Sequence, residues 1–186
     1  MDLTLFIQLL ISGILLGGIY ALARIGLTLI FGVMTIVNFA HGEFLMIAMY
    51  ISFWLFHFFH LDPYLSILVV VPALFLIGIL IYQIFIRPTI GAPILTQIFV
   101  TVGLSIVIEN LVLLVWSADF RSINLEYLRD PIILGPFAAL GIEELIVNRT
   151  RLITFVLGMA LSVAFYLFLK YHYTGKVIRA TSQDRS

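Results

Sequence analysis

Apolar residues run almost unbroken from Leu3 to Phe59, and the only charged or histidine side chains in that stretch are Arg24, His41, Glu43 and His57. One helix of that length would reach about 85 Å against roughly 30 Å of bilayer hydrocarbon, so the run must fold back or break. The polar knot Asn38-Phe39-Ala40-His41-Gly42-Glu43 is the place best suited to it. Asn38 has a side-chain acceptor that can close a turn, and Gly42 has no Cβ. The pattern predicts a first span over Leu3–Ala23, closed by Arg24 at the membrane surface. Gly26–Phe59 then reads as a second span interrupted near Asn38. The alternative is a first span reaching Phe31, followed by an ordinary surface turn.

Further along, a third span is expected over Tyr64–Ile86, with Pro72 as a possible kink, and a fourth over Ile94–Trp116. Residues 117–151 change character, with nine charged residues, Pro131, Pro136 and a Gly141-Ile142-Glu143-Glu144 turn. They read as an extramembranous loop, partly structured around Ile132–Leu140. A fifth span follows over Leu152–Leu169. The whole is therefore an all-α integral membrane protein of about five transmembrane helices, the second broken or re-entrant near Asn38–Glu43.

Several local patterns carry chemistry or packing. Gly13, Gly17 and Ala21, with Ser12 and Gly18, make a smooth face for close helix approach. Gln97, Thr101, Ser105 and Glu109 recur every fourth residue and form a winding polar stripe. Such a stripe avoids lipid, so it either bonds other helices or lines a path for solute. His41 and Glu43 admit the same two readings, as caps for the helix that follows the break or as polar elements of a path. Trp54 and its neighbours read as an interfacial aromatic belt. His57 and His60 share that setting, and with no third ligand nearby they are not a metal site. Asn148-Arg149-Thr150 matches a glycosylation sequon, a pattern common by chance.

Composition agrees: 62% of residues are hydrophobic and 11% charged, and mean hydropathy is +1.17, outside the range of soluble domains. The absence of cysteine removes disulfides and thiolate metal sites. Zero net charge argues against a nucleic-acid partner. The N-terminus has no basic region and no small-residue cleavage site, so it reads as a retained span rather than a signal peptide. Four Lys or Arg in the last seventeen positions place the C-terminus in the cytoplasm. Five spans then put the N-terminus outside, residues 117–151 outside, and residues 170–186 inside. Arg121, Arg129, Arg149 and Arg151 lie on the wrong side for that rule.

Three segments in order, Gly17-Gly18-Ile19-Tyr20-Ala21-Leu22, Gly26-Leu27-Thr28-Leu29-Ile30-Phe31-Gly32-Val33-Met34 and Val37-Asn38-Phe39-Ala40-His41-Gly42-Glu43-Phe44, resemble the opening of the LivH-type permeases. Those are membrane subunits of ABC importers for branched-chain amino acids. Gly103-Leu104-Ser105 with Asn110, and Thr174-Gly175-Lys176-Val177-Ile178-Arg179-Ala180, extend the resemblance in register. It implies a periplasmic amino-acid-binding protein, a homologous second permease subunit and two cytoplasmic ATP-binding subunits as partners. Residues 1–186 are then one transmembrane permease domain that binds no cofactor, with ATP held by the partner subunits. The tail from Gly175 would begin a cytoplasmic coupling loop, so Gly175, Lys176 and Arg179 are the expected ATPase contacts. Family members continue into further spans, so the chain is expected to be the N-terminal part of a longer permease of a bacterial or archaeal inner membrane.

Within that resemblance a zwitterionic solute with an apolar side chain needs a few polar groups in apolar walls. Asn38, His41 and Glu43 are the candidates, with Thr101, Ser105 and Glu109 as a second tier. Arg24 and Glu109 depart from the family pattern, and a buried carboxylate and guanidinium could pair. Three alternatives stay open: a permease for urea, amides or another amino acid; an ion-coupled transporter with His41, Glu43 and Glu109 as the relay; and an inactive fragment.

Overall fold

The structure, a computed structural model, describes residues 3–34, 36–136 and 144–183. Five of its helices are long and apolar enough to cross a membrane. They are α1 (Leu3–Met34), α2 (His41–Phe59), α3 (Pro63–Ile81), α4 (Ile94–Trp116) and α6 (Arg149–Tyr171). A π-helical turn at Tyr82–Ile86 and a 3-10 turn at Arg87–Thr89 prolong α3. Between α4 and α6 lie the single-turn α5 (Glu126–Arg129) and two short antiparallel strands, β1 (Ile132–Leu134) and β2 (Leu145–Val147). The amphipathic α7 (Tyr173–Gln183) follows α6.

The first span does not stop at Ala23. α1 continues through Arg24 to Met34, because residues 24–34 hold no proline and a helix is the cheapest way to satisfy backbone groups in an apolar medium. Gly26 and Gly32 each weaken it by only about 1 kcal/mol. The break falls where the polar knot stands, at residues 36–40, but it separates α1 from α2 and leaves α2 whole. α3 runs continuously through Pro72.

The chain divides into two compact units, one of residues 1–33 and 124–186 and one of residues 34–123. In the first unit α1 and α6 run parallel. Gln8 meets Ile146, Gly18 meets Phe155 and Leu22 meets Gly158 in the same order along both. A Cβ at Gly18 would run into the Phe155 ring, so with the ring as it stands this crossing needs glycine. Gly13 and Gly17 have nothing within 4 Å, so of the three glycines of the smooth face Gly18 is the one pressed on a neighbour. Gln8 accepts from the Ile146 N–H at 2.9 Å and donates to its carbonyl, which ties the free edge of β2 to α1. Asn148, the asparagine of the sequon, caps α6 by accepting from the Arg151 N–H at 3.0 Å. The expected Gly141–Glu144 turn falls outside the described residues except for Glu144.

In the second unit α2 and α4 run parallel, with α3 antiparallel to both. Ser52 of α2 and Ser66 of α3 share a hydrogen bond of 2.8 Å. Ala40, Leu104, Ile108 and Val112 form the buried core, flanked by Phe44, Ile47, Tyr50 and Ile81. The turn from α2 to α3 has two clear causes. His60 is left-handed (φ 52°) and the Leu61 N–H reaches back to the Leu55 carbonyl, a Schellman closure. Asp62 then caps α3, accepting from the Tyr64 N–H at 2.8 Å with Pro63 in the first turn.

Candidate functional site

The break between α1 and α2 and the middle of α4 meet in the second unit. α4 presents Gln97, Thr101, Leu104, Ile108 and Val112 to the interior. A four-residue step overshoots one helical turn by about 40°, so a stripe of that period rotates away from any fixed face. This divides the polar stripe by depth of burial. Gln97 and Thr101 are buried, Ser105 is half-buried and Glu109 is exposed.

Each buried member has an assigned partner. Gln97 donates to the carbonyls of Ala92 (3.1 Å) and Thr89 (3.4 Å), plugging the turn between α3 and α4. The hydroxyl of Thr101, only 1% exposed, lies 3.1 Å from the carbonyl of Val37 and 3.1 Å from that of Ile98 one turn back on α4, and its one proton serves these two acceptors. The Val37 carbonyl belongs to the broken segment, where no helical N–H is available to it. Ser105 donates to Glu43 Oε1 at 2.8 Å.

The break supplies its own turn chemistry as well. Asn38 Oδ1 accepts from the Ala40 N–H at 3.1 Å, an Asx turn, and the His41 N–H bonds the Asn38 carbonyl at 3.4 Å. α2 then starts after Ala40 with no side-chain cap. Its first-turn N–H groups and the positive end of its dipole point into the break, with Glu43 as the acidic residue of that turn. His41 is half-buried at the first helical position.

The register with α4 fixes how deep this lies. At about 1.5 Å per residue, Thr101 and Ser105 sit roughly 11 and 17 Å along a helix about 35 Å long. The start of α2 is therefore level with the middle of α4, not with its end. The open backbone of residues 36–40 is thus level with the inner part of a helix long and apolar enough to cross a membrane, and at such a level irregular backbone is found only where it is buried or lines a cavity. Ile36 and Ala40 are 2% and 0% exposed, and Phe39 is 52% exposed, so the segment is buried on one side and open on the other. Asn38, Glu43, Thr101 and Ser105 are thus brought together, while Glu109 lies elsewhere on α4.

The expected coupling residues are in the first unit. A Cβ at Gly175 would lie 2.5 Å from Leu169 Cα and from the Phe168 carbonyl oxygen, so glycine is what lets α7 turn tightly against the end of α6. Lys176 is exposed on α7, and the side chain of Arg179 lies outside the described residues. Arg24 of α1 belongs to this unit too, and Glu109 to the other.

Sequence reasoning missed two contacts at the far end of α2. Arg121 lies 4.9 Å from the Trp54 ring centre and 5.5 Å from that of Phe53, and donates to the Trp116 carbonyl at 2.7 Å. Tyr50 stacks on Trp116 at 4.6 Å. The charge looked like an outer-loop arginine that broke the positive-inside rule; an aromatic belt beside an arginine was the available signal for the contact.

Residues 9–186 match the family described as the permease component of branched-chain amino acid transport systems. The chain is 26% identical over 187 residues to the high-affinity branched-chain amino acid transport system permease protein BraD of Pseudomonas aeruginosa. It is 28% identical over 193 residues to the permease protein LivH of the corresponding high-affinity system in Salmonella typhimurium and in Escherichia coli K12. The alignments cover 96% of this chain and 59–60% of the relatives, so the chain spans about three-fifths of their length. No solved structure matches it.

Proposed function

This chain belongs to the family of permease components of branched-chain amino acid transport systems, and from that premise we propose that it forms part of the transmembrane path of an ATP-driven importer of branched-chain amino acids. The observation that carries the reading is the family match over residues 9–186, on a chain with five helices apolar enough to cross the membrane. In this reading the chain does no covalent chemistry. ATP is bound and hydrolysed by cytoplasmic partner subunits, a homologous second permease subunit completes the path, and a periplasmic binding protein delivers the solute.

Asn38, His41 and Glu43 at the break form the path or its gate, with Thr101 and Ser105 as supporting groups. The start of α2 at the mid-depth of α4 supports this. The positive end of the helix dipole suits a carboxylate, and the Glu43 carboxylate suits an ammonium. Two charged ends in an otherwise apolar wall describe a branched-chain zwitterion. Thr101 and Asn38 hold the broken backbone open for that purpose.

The N-terminus lies outside, residues 117–151 form an extracytoplasmic loop, and residues 170–186 begin the cytoplasmic coupling segment, with Gly175, Lys176 and Arg179 toward the ATPase. Parallel α1 and α6 are what first and fifth spans require, and Lys170 and Lys176 collect at the end assigned to the cytoplasm.

The test is reconstitution with the cognate ATP-binding subunits, partner permease and binding protein, following labelled leucine. Uptake that needs ATP, and needs the continuation of the chain found in longer relatives, is the expected result. Uptake driven by a pH gradient without the ATP-binding subunits would overturn the reading.

A further inference from the structure

A groove of about 600 Å³ lies along the C-terminal halves of α1 and α6, with Ile178 of α7 in its lining. Its walls are largely apolar, built from Leu29, Phe165 and Leu169 among others, and among the described residues its only charged lining side chain is Arg24. The hydroxyls of Thr28 and Ser162, which also line it, donate to the carbonyls of Arg24 (3.0 Å) and Gly158 (2.7 Å) on their own helices. α1, α6 and α7 contain no aspartate or glutamate. The same end of the unit also carries Lys170, whose Nζ lies 5.8 Å from the ring centre of Tyr166, another lining residue.

Both features together specify an occupant. A guanidinium within a membrane span is costly until it meets an anion or reaches the interface. An apolar trough beside it needs a hydrocarbon partner. Basic pockets between transmembrane helices at the cytoplasmic side are suited to anionic lipid headgroups. We propose that this groove binds one anionic phospholipid, with the phosphate on Arg24, Lys170 beside the mouth, and an acyl chain against Leu29, Phe165 and Ile178. The long arginine stem extends along the groove to meet the headgroup. Arg24, which the solute path leaves without a task, is on this view a lipid ligand.

The chain is placed in phosphatidylcholine vesicles containing a minor fraction of phosphatidylglycerol, extracted in mild detergent, and the retained lipid weighed by native mass spectrometry. One phosphatidylglycerol per chain is expected, enriched about fivefold over the vesicle, which is what one cation near the surface contributes. Arg24→Gln removes the enrichment and Arg24→Lys keeps it. Leu29→Trp, which fills the trough and leaves the charge, abolishes retention, whereas Lys176→Gln does not. Equal phosphatidylglycerol on Arg24→Gln, equal retention of phosphatidylcholine, or a second copy of the chain in place of lipid would each overturn the assignment.

Discussion

Thr101 does more than join a polar stripe. Its hydroxyl is within 3.1 Å of the Val37 carbonyl, which has no helical N–H, while also reaching the Ile98 carbonyl on its own helix. Thr101→Val, equal in shape, should therefore cost about 1–3 kcal/mol of stability, the penalty of an unsatisfied buried acceptor, read as a lower unfolding midpoint in detergent. Ser105 and Glu43 form a direct pair, and hydrogen bonds between membrane helices average about 0.6 kcal/mol with a maximum near 1.7. A double-mutant cycle of Ser105→Ala and Glu43→Ala should show coupling in that range, and additive losses would mean the pair contributes nothing. Asn38 was legible as a turn residue from its chemistry. The partner of Thr101 was not, because nothing in residues 97–109 says which of the stripe's positions faces the break.

Among the helices, the same sequence motif divides into used and unused parts. Gly18 is pressed on the Phe155 ring and Gly17 is open. Gly18→Val should thus destabilise by about 1–3 kcal/mol, as overpacking does, while Gly17→Ala stays within about 0.5 kcal/mol of wild type. Thermal unfolding of the two variants side by side checks this, and equal losses would show that α1 and α6 do not cross at Gly18. At Gly175 the obstruction is backbone, which cannot rotate aside as a side chain can. Gly175→Ala should release α7 from the end of α6, seen as faster proteolysis after Lys176. Helix extents were largely readable: α4 begins and ends where its apolar run does. The end of α1 was not, since Arg24 resembled a surface anchor while the residues after it had no reason to leave the helix.

For the molecule as a whole, one candidate span, α6, separates the 117–148 connection from α7, so the proposed topology puts them on opposite faces of the membrane. The chain has no cysteine, so single substitutions can be labelled without background. Asp130→Cys should react with an impermeant maleimide added outside intact cells, and Lys176→Cys only after lysis. The reverse pattern would invert the orientation read from the basic residues. The five spans and the family were both accessible from residues in order, because hydrophobic runs and an ordered set of Gly, Asn and His positions are linear features. The division into two units was not, since it depends on which helices exchange contacts.

By itself the sequence determined the membrane class, the number of spans, the family resemblance and the position of the break. Each follows from local chemistry: apolar length against bilayer thickness, and a polar, glycine-containing knot that an apolar helix cannot easily carry. Only the tertiary structure decided that the break ends α1 rather than interrupting α2, and that it sits level with the middle of α4. It also decided that Thr101 and Ser105 serve the break while Glu109 turns away. Those outcomes depend on the register between helices far apart in the chain, where a rotation of a few tens of degrees moves a side chain from a bond to a bare surface.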